Sequence, residues 1–94
     1  MLTEEDIFKG IIGGKAYCLK SDFMAAARLY CDGEYRFFTP HRALYYTEDW
    51  AGQYIGYNYY GSSAVRISAK NLKWLLKDIF KCNAGDFVEW PYND

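Results

Sequence analysis

Apolar residues recur at helical spacing near both ends of the chain and at strand spacing between them. Ile7, Phe8, Ile11 and Ile12 follow Thr3 and Asp6, which have the form of a capping box with Asp in place of the usual Glu. This predicts a helix over about residues 4–12. Gly13 and Gly14 close it, because glycine enters the left-handed region without a Cβ clash. Lys15 to Lys20 then places Ala16, Tyr17, Cys18 and Leu19 in a short strand.

Further along, Leu29-Tyr30-Cys31 and Glu34-Tyr35-Arg36-Phe37-Phe38 flank Asp32-Gly33, the strongest hairpin signal in the chain. The preceding Met24-Ala25-Ala26-Ala27 favours helix by propensity, although Ser21-Asp22 leaves it little length. Pro40 ends the hairpin. From Leu44 to Tyr60 the chain carries Tyr45, Tyr46, Trp50, Tyr54, Tyr57, Tyr59 and Tyr60 among Gly52, Gly56 and Asn58, which predicts alternating strand and loop. Val65-Arg66-Ile67 alternates as a strand does. Ser68 then caps the clearest helix, about residues 69–81, which ends at Asn83 to Gly85. Asp86 to Trp90 suits a last strand that Pro91 stops from extending. The expected fold class is α+β, a small antiparallel sheet of four to five strands with two helices.

With 94 residues the chain is expected to form one domain, 1–94, whose core needs no metal or disulfide staple. The aromatic share of 20% exceeds what a core of this size takes up, so some rings belong at the surface. A formal charge of −1 leaves no global field for a phosphate backbone, and nucleic-acid binding would need a local basic patch. No apolar run approaches the roughly 18 residues of a membrane span. Glu4, Glu5 and Asp6 have the wrong sign for a signal peptide, so a cytoplasmic location is expected. Cys18, Cys31 and Cys82 are odd in number and lack C-x-x-C spacing, so they read as reduced thiols packed among apolar neighbours. Together with the lone His41 they are too scattered to predict a zinc site, and no cofactor is expected.

At about 100° per residue, Leu72, Leu75, Leu76, Ile79 and Phe80 share one face of the second helix, and Lys70, Lys73, Lys77 and Lys81 form a stripe opposite. Trp74 falls on the lysine side. An aromatic plane among cations can seat a base and phosphate or an acidic partner. The alternative is a solvated lysine face with Trp74 covered by the aromatic segment or a second subunit. The Tyr-Gly-Asn-Ser composition of residues 45–63 has the character of a recognition surface, which adds Tyr54, Tyr57 and Tyr59 to Lys70, Trp74 and Lys77 as candidate binding residues. Several of those tyrosines would equally serve to cover a small sheet. Catalytic candidates are sparse: His41 sits between Pro40 and Arg42 with no Ser/His/Asp or Cys/His signature, and Gly13-Gly14-Lys15 lacks the spacing of a phosphate loop.

The short amphipathic helix closed by Gly13-Gly14-Lys15 and followed by the strand Ala16 to Leu19 resembles the start of the small phage Thoeris anti-defence proteins, which sequester signalling nucleotides. Ala84-Gly85-Asp86-Phe87-Val88-Glu89-Trp90 is similar to the acidic-aromatic last strand of that family, with Asp86-Phe87 where the family tends to show Asp-Trp. The second helix and the tyrosine-rich middle have no counterpart there, and no binding residue is carried over. More broadly the chain resembles the small, acidic, aromatic-rich phage inhibitors of bacterial immunity, anti-CRISPR proteins among them. The resemblance implies a non-enzymatic counter-defence protein in the host cytoplasm whose partner is a host immune protein or its nucleotide signal, with a homo-oligomer compatible. The alternatives are a small enzyme acting on a nucleotide or nucleic acid around His41 and the tyrosines, and a structural or assembly subunit of a phage or mobile element.

Overall fold

A computed structural model describes residues 1–23 and 41–90. Helix α1 covers Glu4–Ile12. Its first turn is held by the reciprocal box: the Thr3 hydroxyl accepts the Asp6 N–H at 3.1 Å, and the Asp6 carboxylate accepts the Thr3 N–H at 2.9 Å. Those hydrogen bonds from Thr3 hold the Asp6 carboxyl below its ordinary pKa. At the other end Gly14, with φ of 90°, turns the chain into β1 (Ala16–Leu19). Residues 20–23 are helical, and the Asp32-Gly33 hairpin and the segment from Met24 lie outside the described residues.

The tyrosine-rich segment forms one continuous hairpin instead of alternating strand and loop. β2 (Ala43–Asp49) and β3 (Gly52–Asn58) pair along their full length, from Ala43↔Asn58 to Asp49↔Gly52. Trp50 and Ala51 make the turn, where Asp49 Oδ1 accepts the Ala51 N–H at 2.7 Å and Gly52 takes a φ of 137°. A second tight turn through Tyr59, Tyr60 and Gly61 leads into β4 (Ser62–Arg66). Tyr60 there adopts a φ of 56°.

Ser68 caps α2, whose α-helical part is Ala69–Trp74, by accepting the Asn71 N–H at 3.0 Å. The helix then widens into a π-turn over Leu75–Ile79, with Phe80 N–H bonded to the Leu75 carbonyl at 2.9 Å and Cys82 N–H to the Leu76 carbonyl at 2.9 Å. Expectation and structure therefore agree on the helical stretch but not on its geometry. A 3₁₀ turn, Ala84–Asp86, precedes β5 (Phe87–Trp90).

The fold is α+β. The five strands among the described residues are antiparallel throughout, in the order β4-β3-β2-β1-β5. Period two decides which face each side chain serves. Tyr17, Leu19, Leu44, Ile55 and Phe87 face the helices, where Ile7 and Ile11 of α1 and Leu72, Leu75, Leu76 and Phe80 of α2 complete the main core. On the opposite face Ala16, Cys18, Ala43 and Trp90 form a second cluster, with Phe23 standing edge-on to Trp90 at a ring separation of 5.7 Å. Directly across the β2/β3 ladder from Tyr45 lies Gly56, and a Cβ there would meet the Tyr45 ring at 2.2 Å. The glycine is what lets that ring lie down on the sheet.

Candidate functional site

The second helix presents two chemically distinct sides. Its core side is closed: Leu72, Leu75, Leu76 and Phe80 are all buried. Its outer side carries Lys70, Lys73, Lys77 and Lys81, all exposed, with Trp74 among them at 40% exposure. None of these lysines has a carboxylate within ion-pair distance among the described residues, where the ion pairs are Lys9 with Glu5, Lys15 with Glu89 and Arg42 with Asp22. Helical phase produces this division, because Trp74 stands two residues beyond the buried Leu72 and so about 160° around the helix from it at 100° per residue.

Lys77 borders two open clefts. One, of about 280 Å³, is lined by Glu4 of α1, by Lys73, Leu76 and Lys77 of α2, and by Cys82, Asn83 and Ala84. The other, of about 580 Å³, lies toward the helix end beside Lys81, Cys82, Asn83 and Asp78. Each cleft holds two lysines and one carboxylate-bearing residue, so the local balance is positive but not uniformly so. Lys81 has a left-handed φ of 54°, which fixes where its side chain leaves the helix end.

The three candidate tyrosines separate. Tyr54 lies on the sheet face opposite the helices, in line with Thr47 and Arg66, and so cannot share a surface with Trp74. Tyr57 faces the helices, half-buried, its ring edge-on to Phe80 at 6.3 Å, where it packs against the core. Tyr59 sits in the β3/β4 turn, 39% exposed, with its ring 5.9 Å from Phe80. Lys70, Trp74 and Lys77 thus share one helix side, Tyr59 stands against the end of that helix, and Tyr54 is removed from the group by strand alternation.

Three further arrangements stand out in the structure. Trp50, 98% exposed, is the tip of the β2/β3 hairpin, a placement that Asp49 and Gly52 on either side of it could have suggested. His41, Tyr59 and Tyr60 form an aromatic group at the opposite end of the sheet, with His41 and Tyr60 rings 4.1 Å apart and Tyr59 and Tyr60 rings 4.7 Å apart. Next to it Asp22 clasps Arg42 through Nε at 2.9 Å and Nη2 at 3.1 Å, and the same carboxylate receives the Arg42 backbone N–H. The hydrogen bonds from Arg42 to Asp22 raise the guanidinium pKa further. Among the described residues His41 makes no side-chain hydrogen bond of the kind that orients a general base.

Cys18 and Cys82 are free thiols, and Cys31 lies outside the described residues. Burial pushes the Cys18 thiol up to about 12. No cluster of three His, Cys, Asp or Glu side chains suited to a metal occurs among the described residues. No described helix is long and apolar enough to cross a membrane. Comparison of the chain with protein-family models, with curated proteins and with solved structures found no match.

Proposed function

We propose that this chain is a non-catalytic binding protein that engages an anionic surface through the outer side of α2, with Trp74 as the anchor and Lys70, Lys73 and Lys77 around it. The observation that carries the reading is the exposure of Trp74 among lysines that have no carboxylate partner among the described residues, on a helix whose apolar side is already closed. A tryptophan ring contributes contact area whose value does not depend on salt, and the lysines add a Coulombic part that salt screens over roughly 10 Å at 0.1 M. The reading fits a counter-defence inhibitor that blocks a host immune protein or takes up its nucleotide signal. It disfavours an enzyme at His41, whose imidazole stands against the rings of Tyr59 and Tyr60 and, among the described residues, makes no side-chain hydrogen bond to a carboxylate or nucleophile.

The test is a salt series of binding measurements, using a labelled single-stranded oligonucleotide, cyclic and linear nucleotides, and protein captured from a bacterial lysate. Lys70→Glu with Lys77→Glu is expected to weaken binding more at low salt than at high. Trp74→Ala should remove a salt-insensitive share of about 1–3 kcal/mol where a base stacks on the ring. His41→Ala should leave binding intact. If both helix variants stay folded and keep full affinity, the binding surface lies elsewhere on the protein.

A further inference from the structure

β4 is an edge strand among the described strands, and the bonding pattern of its ladder tells which of its backbone groups point away from β3. Ile67 N–H donates to the Gln53 carbonyl at 3.3 Å, and Tyr59 N–H donates to the Gly61 carbonyl at 3.0 Å. In an antiparallel ladder such directly opposed, bonded pairs recur at every second residue. With Ile55↔Val65 and Tyr57↔Ser63 in register between them, Gly61, Ser63, Val65 and Ile67 turn their backbone groups toward β3. Ser62, Ala64 and Arg66 therefore turn theirs outward. Of these groups only the Arg66 carbonyl has a partner among the described residues, the Asn71 side-chain amide at 2.7 Å.

Natural edge strands are usually protected by lysine, proline, a bulge or an inward-pointing charge. From Ser62 to Val65 this one has none of them: its side chains are two hydroxymethyl groups, a methyl and an isopropyl, and Ser62, Ser63 and Ala64 are exposed. Among the described residues nothing bulky stands between the outward groups and an approaching backbone.

We propose that this edge pairs with the same edge of a second copy of the chain, antiparallel and two-fold, centred on Ala64. In that register the two Ala64 residues exchange their N–H and C=O groups, and each Arg66 N–H meets the Ser62 carbonyl of the other copy. The strand is thus complementary to itself. Charge allows the pairing, because each Arg66 side chain stands opposite a serine, and the two arginines are offset by about 14 Å along the strands, beyond the screening length at physiological salt. The sheet becomes continuous through the ten described strands, five from each copy. The seam is short, so the association belongs to the weak, concentration-dependent class.

Sedimentation velocity on the whole chain tests this, from about 10 μM to about 1 mM. The weight-average mass of the wild type should rise from 11.0 kDa toward twice that value. Ala64→Pro removes one outward N–H and no bond to β3, so it should keep its circular dichroism spectrum and stay monomeric. Ala64→Lys and Ala64→Glu place like charges directly opposite each other at the seam. Each alone should remain monomeric, and an equimolar mixture of the two should recover a heterodimer. A wild type that stays at 11.0 kDa throughout would show that the edge takes no second copy, and would leave the Trp74 reading untouched. Association that persists in all three variants would place the contact on another surface and also overturn the proposal.

Discussion

The Tyr17 hydroxyl occupies the space that a side chain at Gly10 would fill: a Cβ built on Gly10 would lie 1.6 Å from that oxygen and 2.5 Å from the ring carbon bearing it. The pair joins the last turn of α1 to β1. Burial raises the Tyr17 pKa, with Glu89 and Asp6 adding to the effect, so the hydroxyl remains protonated in this contact.

Gly10→Ala should consequently destabilise the protein, although alanine is better than glycine in a helix by about 1 kcal/mol. Overpacking of this kind costs about 1–3 kcal/mol, and the net loss should fall in that range. Tyr17→Phe in the same background should restore part of it by removing the oxygen, but not all, since the ring carbon remains. A chemical-denaturation double-mutant cycle reads the coupling. A gain in stability from Gly10→Ala alone would mean that the tyrosine moves aside without cost.

Leu76 is 3% exposed in the main core, between α2 and the sheet. Leu76→Ala should cost about 2–5 kcal/mol, the range of buried leucine truncations. A loss below about 0.5 kcal/mol, the range of surface substitutions away from such features, would mean that this side of the helix is not its packing side.

The thiols should differ in reactivity. Cys18 is fully buried and its pKa is pushed up to about 12, by burial first and then by Asp22. Cys82 is half-buried and is also raised by burial, although Arg42 pulls it back down. In native protein at about pH 8, iodoacetamide should therefore modify Cys82 well before Cys18, as peptide mass spectrometry can follow. Because the folded pKa of Cys18 lies above the unfolded value of about 8.5, its neutral thiol favours the fold below that pH. That contribution should be lost as pH rises toward about 12. Equal labelling of both thiols in folded protein would contradict the burial of Cys18.

Lys81 holds a left-handed backbone conformation at the end of α2. A non-glycine residue there costs about 1 kcal/mol, so Lys81→Gly should stabilise the protein by up to that amount. The same substitution removes one cation beside Lys77, and affinity for an anionic probe should fall while the melting temperature rises. Loss of stability in Lys81→Gly would show that its side chain makes a packing contribution larger than the backbone strain.

Local signals decided the helices. The Thr3/Asp6 box, the Gly13-Gly14 stop, the Ser68 cap and the spacing of Leu72, Leu75 and Leu76 act within one or two turns, so residue order alone sets where α1 begins and ends and which side of α2 is apolar. The exposure of Trp74 follows from the same phase. The wider turn at Leu75–Ile79 does not, because it depends on which carbonyl each N–H finds once the helix is seated on the sheet.

The tyrosine-rich segment was legible only as aromatic and strand-forming. Its composition cannot say that Tyr54 faces away from the helices while Tyr57 packs beneath them, since a shift of one residue in register exchanges the two faces of a strand. Pairing of β2 with β3 from Asp49↔Gly52 onward fixes that choice, and with it the separation of Tyr54 from the lysine face. The meeting of His41 with Tyr60, the grip of Asp22 on Arg42 and the free backbone groups of β4 likewise join residues through strand order, not through nearness in sequence. The amino-acid sequence by itself determined the contacts that close over a few residues. Tertiary structure decided every surface assembled across the sheet, because antiparallel pairing, and not any local preference, assigns each side chain its neighbours and leaves the backbone of an edge strand unpaired.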